Sequence, residues 1–183
     1  ITELLKTNFF ILTHSKIEPD DNDQWIYLPA IKRVKRISSS NRTGKFVGSE
    51  FSFEDLASQE IENNTYLWLE DLECPNNTEL KCSMIEARPK NKKSGYSKVI
   101  NYIDLQEFRV QFAQFYNRRG DLEKELSYLD YKKYLDKYWF FHGLVMLNKQ
   151  TGKSTELKWD EYKVQSGLKM SDFDPKKLPK MAK

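Results

Sequence analysis

The chain has 183 residues, enough for one domain with a real core. Charged residues make up 31% and mean hydropathy is −0.74, and no apolar run reaches the length of a membrane-spanning helix. A net charge of +3 and a pI of about 8.7 fall short of a dedicated nucleic-acid binder, while only 7 Gly and 6 Pro argue against collagen-like or disordered classes.

Aromatic residues reach 14%, and such side chains fit pleated, half-buried surfaces, so the composition leans towards strands. Ile1 to Lys6 reads as a scrap of helix too short to stand alone. Gln24 to Leu28 reads as a strand that stops at Pro29. Ile31, Val34 and Ile37 recur every three residues, which suits either a helical turn or an irregular edge with one apolar side. Ser38 to Gly44 is a polar loop, Phe46 to Phe53 resumes a strand, and Glu54-Asp55-Leu56 opens a short helix.

Thr65 to Leu69 and Lys81 to Ala87 are expected as the arms of a hairpin, followed by a basic loop from Arg88 to Gly95. From Tyr96 the pattern is a meander. Val99, Asn101 and Ile103 face one way; Val110, Phe112 and Tyr116 alternate next; Leu122, Leu126 and Tyr128 follow, with Tyr131 and Tyr134 extending the apolar pattern. Tyr138 to Leu147 is expected as one strand, and tight turns fall at Asn117 to Asp121 and Asn148 to Lys153, each carrying a Gly. Thr155, Leu157 and Trp159 alternate, and the break before Tyr162 suggests a bulge. The tail after Ser171 has room for one helical turn before Pro179. Strands joined by short turns at this spacing indicate an up-and-down sheet or barrel.

Cys74 and Cys82 flank a turn-forming Pro-Asn-Asn-Thr cluster. If the flanking runs pair, the two thiols lie across a hairpin, where a disulfide would be worth roughly 2–3 kcal/mol and would point to an oxidising compartment. The alternative is a reduced pair. The only two His, His14 and His142, have no ligand spacing to these Cys, so no metal site is read.

The densest segment is Trp25 to Leu56. Its aromatics could line an apolar slot while Arg33, Lys35 and Arg36 meet phosphates or an acidic partner; the plainer reading is core aromatics beside a solvated charged stretch. Stacking of single-stranded nucleic acid is set aside on the modest net charge and the cysteine pair. His14-Ser15 with Asp20, Asp21 and Asp23 offers a base, a hydroxyl and acids, but nothing in their spacing fixes a catalytic geometry. There is no phosphate-binding Gly loop or nucleophile elbow, so no catalytic residue is assigned and an enzyme is not expected.

Trp25, Tyr27, Pro29 and Ala30 form a Trp-x-Tyr-x-Pro-Ala block, continued by Arg33, Val34, Arg36, Ile37 and Ser38. Phe46, Gly48, Ser49, Phe51, Ser52, Glu54, Asp55 and Leu56 form a second block; the Gln150 to Thr155 turn, Trp159 to Tyr162, Gly167-Leu168 and Asp172-Phe173 follow. In this order, over about residues 10 to 178, the blocks resemble the outer membrane lipoprotein-sorting protein family, a branch of the LolA/LolB lipoprotein-carrier superfamily. Two features depart from that pattern. Very little precedes Phe9, where the family continues upstream, so a single LolA-like domain over 1–183 is expected to lack part of the family's N-terminal region. Phe140 and Phe141 follow Trp139 where the family often has Arg-Pro, which puts the local turn in question.

The resemblance implies a mainly β fold: a curved, unclosed antiparallel β-barrel, or half-barrel, with a few short helices. It implies an exported, periplasmic protein without a cofactor, peripheral to a membrane at most, whose apolar concavity holds lipid or lipoprotein acyl chains. The missing initiator Met fits a removed leader. Burial of an acyl chain yields about 0.8 kcal/mol per CH₂, so such a site needs no catalytic group. Trp25, Tyr27, Phe51, Phe53 and Trp68 are the expected lining, and Arg33, Lys35 and Arg36 the expected rim towards headgroups or a partner such as an inner-membrane transporter. The alternative role on the same fold is an accessory or scaffold protein of an envelope transporter.

Overall fold

The structure, a computed structural model, describes residues 8–13, 22–38, 41–57 and 60–181. Ile1 to Lys6, and His14, Ser15, Asp20 and Asp21, lie outside the described residues. The chain is mainly β with a few short helices, and it divides into two compact units, each described by itself.

The smaller unit draws on the described residues of 2–62 and 165–183. Strands β1 (Asn8–Thr13), β2 (Asn22–Leu28) and β3 (Arg33–Ile37) pair antiparallel in that order. Pro29 cannot extend β2 and instead opens a 3-10 turn over Pro29–Ile31; Lys32, in the left-handed region at φ 50°, reverses the chain into β3. Val34 and Ile37 fall on opposite faces of β3 and Ile31 is exposed, so the three-residue spacing marks an edge strand but no single apolar side. After two 3-10 turns, α1 (Leu178–Met181) packs against β1, β2 and β3, and Leu178 is fully buried.

The larger unit, residues 63–164, is built on one antiparallel sheet of seven strands. These are β4 (Asn64–Cys74), β5 (Asn77–Pro89), β6 (Tyr96–Asp104), β7 (Val110–Asn117), β8 (Leu122–Leu129), β11 (Gly143–Asn148) and β12 (Ser154–Lys158). The short strands β9 (Lys132–Tyr134) and β10 (Tyr138–Phe140) form a separate hairpin between β8 and β11. The sheet does not close: its spatial order ends at β12 on one side and β4 on the other. Register shifts in the β4–β5, β6–β7 and β7–β8 pairs increase the local twist, which is how an antiparallel sheet bends into a half-barrel.

Register arranges the core. Trp68, Ile85, Asn101, Ala113, Leu126, Met146 and Thr155 form one continuous row across all seven strands. Ala113 and Met146, in its middle, have no exposed surface. On the opposite face Ile100, Tyr102 and Phe112 cluster with Cys74 and Cys82. Those cysteines are joined, with Cα atoms 5.0 Å apart across the β4–β5 turn, so the disulfide expected from the sequence is present.

Four expected elements come out differently. Phe46 to Phe53 is no strand; among these residues only Ser52 forms an isolated bridge, to Lys45. Val47 and Gly48 both take positive φ, 48° and 75°, and fold the segment back on itself. Residues 54–56 form a turn rather than a helix. The run from Tyr138 to Leu147 breaks into β10 and β11 because the His142 N–H turns to the carbonyls of Leu129 and Asp130. The irregularity after Trp159 is no bulge: β12 ends at Lys158, and the Trp159 N–H bonds to the His142 carbonyl.

Candidate functional site

The smaller unit holds an apolar pocket of about 390 Å³. Its sheet wall follows from strand alternation. Gln24, Ile26 and Leu28 share one face of β2, and Ile37, Lys35 and Arg33 stand opposite them on β3. Of these, Ile26, Leu28, Lys35 and Ile37 line the pocket. Trp25 and Tyr27 occupy the other face, where the Arg36 guanidinium lies 6.0 Å from the Trp25 ring.

The remaining wall comes from the loop 41–57. Phe46 N–H donates to the Phe51 carbonyl and Ser49 N–H to that of Phe46, closing a tight turn whose positive-φ corner is Val47-Gly48. Ser49 Oγ donates to the Phe46 carbonyl at 2.6 Å and accepts the Phe51 N–H at 3.2 Å. Lys45 Nζ meets the buried Glu50 carboxylate at 2.8 Å. Asp55 Oδ2 accepts the Ser52 N–H while Ser52 Oγ accepts the Asp55 N–H, a reciprocal pair like a helix capping box. The second sequence block is thus a structural device. Its Phe51 is fully buried, its Phe46 packs edge-to-face on Phe53 at 5.6 Å, and it delivers Val47 and Phe53 to the pocket. Asn41, Thr43 and Gly44 complete the wall; a Cβ on Gly44 would sit 3.1 Å from the Asn41 carbonyl oxygen, which explains a glycine there.

At the inner end of the same β2 face, Gln24 is fully buried. Its Nε2 donates to the Phe53 carbonyl at 3.0 Å, and its Oε1 has no partner among the described residues.

Of the aromatics expected to line a cavity, Phe53 lines this pocket, Phe51 is fully buried and not part of its wall, and Trp25 and Tyr27 stand on the other face of β2. Trp68 belongs to the larger unit, on edge strand β4, and is 59% exposed. Of the expected rim cations, Lys35 is at the pocket, Arg33 is on the pocket's side of β3, and Arg36 is on the far side. Sequence reasoning missed Ile26, Leu28, Ile37 and Val47; the alternation along β2 was visible, but both of its faces are apolar.

The larger unit carries a second concentration of rings, around His142. Its Nδ1 faces the Trp159 carbonyl at 2.7 Å and so carries the proton, leaving Nε2 to accept from Tyr134 Oη at 2.8 Å. Tyr134 stacks on the imidazole and Tyr162 meets it edge-on, with Phe140 packed against both tyrosines. With both nitrogens partnered, this cluster fixes the β9–β10 hairpin and presents no open chemistry.

A family model described as uncharacterized protein-like matches residues 6–180. A solved domain from Vibrio parahaemolyticus, named for outer membrane lipoprotein sorting, is 44% identical, with a TM-score of 0.86 over 95% of this chain and 72% of that one. The chain belongs to the outer membrane lipoprotein-sorting protein family. A DUF1329 family protein from Desulfovibrio piger shares the fold at 24% identity and a TM-score of 0.84, over 97% of this chain and 73% of that one. A LolA superfamily protein from Nitrosomonas europaea does so at 18% identity and a TM-score of 0.64, over 83% and 66%. The half-barrel fold expected for this family is therefore the one present. No curated protein matches the chain. Among the described residues no helix is long and apolar enough to cross a membrane.

Proposed function

We propose that this family member is a periplasmic carrier-like protein, its residues 1–183 acting as one domain, that holds a lipid or lipoprotein acyl chain in the pocket walled by β2, β3 and the 41–57 loop. The observation that carries the reading is Val47. A β-branched residue at φ 48° is strained, and such strain persists where the surrounding structure enforces it, often at binding sites. Here it turns an apolar side chain to the pocket instead of to a core. Apolar walls suffice for the task, since each buried CH₂ contributes about 0.8 kcal/mol. The disulfide supports an oxidising compartment, and the family's name points to lipoprotein sorting.

Titration with a fluorescent acyl probe tests this. The wild type should saturate at one probe per protein. Val47→Gly removes the strain and part of the wall together, so affinity should drop several-fold while the melting temperature holds or rises. Absence of saturable binding by the wild type would sink the proposal. A scaffold role on the same fold draws support from Tyr66, Leu67 and Trp68, which are exposed in succession on β4. Pull-down with membrane components, with no lipid retained, would favour it.

A further inference from the structure

The pocket's charge narrows the ligand beyond an acyl chain. We infer that it takes the hydrocarbon chain of an anionic amphiphile, with Lys35 as the counter-charge; the inference rests on the acyl-binding reading above.

Among the described residues Lys35 is the only ionisable side chain on the pocket wall, and none of them places a carboxylate beside it there. Lys35 has no ion-pair partner among the described residues, and Arg33 on the same side of β3 adds positive potential. Asn41 and Thr43 supply polar groups on the loop wall, with Ile26, Ile37, Val47 and Phe53 forming the apolar remainder. A wall with one apolar body and one cation matches a tail with one negative head. An ammonium is a compact point charge without the guanidinium's fork, so it accepts a carboxylate or a phosphate ester alike. Fatty acids and lysophospholipids share that chemistry.

Competition against the same fluorescent acyl probe decides the matter, with dodecanoate, dodecyl phosphate and dodecyltrimethylammonium as competitors. Dodecanoate and dodecyl phosphate should displace the probe at one per protein, roughly two- to fivefold better than the cationic amphiphile, which is the reach of one exposed ion pair. A lead for dodecanoate assigns the site to fatty acids, and a lead for the phosphate assigns it to lysolipids. Lys35→Met should keep the probe bound and erase the preference for anions; Lys35→Glu should reverse it. Equal displacement by anionic and cationic amphiphiles would overturn the role of Lys35 and leave the acyl-binding reading standing. A probe that never binds would overturn both.

Discussion

The two units solve opposite problems with similar strands. In the larger unit the row through Ala113, Leu126 and Met146 is closed by the protein's own side chains, and the main buried charge is fully served. Asp104 has no exposed surface, yet it accepts N–H groups from Gln106, Glu107 and Arg109, the Arg109 guanidinium at 2.8 Å and the Gln111 amide at 2.8 Å. Among the described residues, the smaller unit has three strands, leaves an apolar face open to a pocket, keeps a buried Gln24 oxygen without a partner and holds Val47 in strain. Stability is concentrated where polar groups are satisfied and volumes filled; capacity to bind is left where they are not.

Asp104→Ala should break the larger unit hardest. It strands the Arg109 guanidinium, which lies over the Trp139 ring at 4.5 Å, and removes the acceptor from the β6–β7 turn. The expected cost is about 3–5 kcal/mol in chemical denaturation. The same group sets a pH dependence. Burial raises the Asp104 carboxyl, but the Glu107 N–H, the Arg109 guanidinium and the Gln111 amide outweigh it and hold the pKa below the usual carboxylate range. Its stabilisation is therefore complete above the unfolded value of about 3.9 and is lost as pH falls through the lower folded value. The variant should show a flatter stability profile than the wild type in that acid window.

Opening the Cys74–Cys82 bond should have the next largest effect. It closes a short loop within the larger unit's core cluster, so Cys74→Ser with Cys82→Ser should lower stability by roughly 2–3 kcal/mol. Well below the melting temperature, affinity for the acyl probe should not move, because the pocket belongs to the smaller unit. A parallel loss of binding would show that the comparison between the units is too sharp.

The same contrast explains what could be read in advance. In the larger unit the turns announce themselves: Gly120 at φ 90° and Gly152 at φ 70° sit in the two reverse turns that their sequences predict. Alternation then fixes which side chains share a face, as for Val99, Asn101 and Ile103. The cysteine hairpin was legible for the same reason. In the smaller unit β2 is apolar on both faces, Trp25 and Tyr27 against Ile26 and Leu28, and periodicity alone does not say which side meets open space. The larger rings drew the assignment; the aliphatic face holds the pocket. The Phe46 to Phe53 run reads as a strand from its phenylalanines, but Gly48-Ser49 was a turn signal in plain view. Gly143 likewise marked the break before β11.

Trp68 gives the smallest expected effect and the cleanest separation of sequence reading from structure. It shares its row with Ala113 and Met146, so its alternation is that of a core residue. It is exposed because β4 ends the sheet, with no further strand beyond it among the described residues. Asp71 accepts its indole N–H at 3.0 Å, which holds the ring on the surface without burying it. Trp68→Ser should then change stability by no more than about 0.5 kcal/mol, the range for surface positions away from special features. Acyl-probe affinity should match that of the wild type, in contrast to Val47→Gly. If Trp68→Ser abolished probe binding with stability intact, the lining would extend to β4 and the acyl chain would belong to the larger unit's face instead.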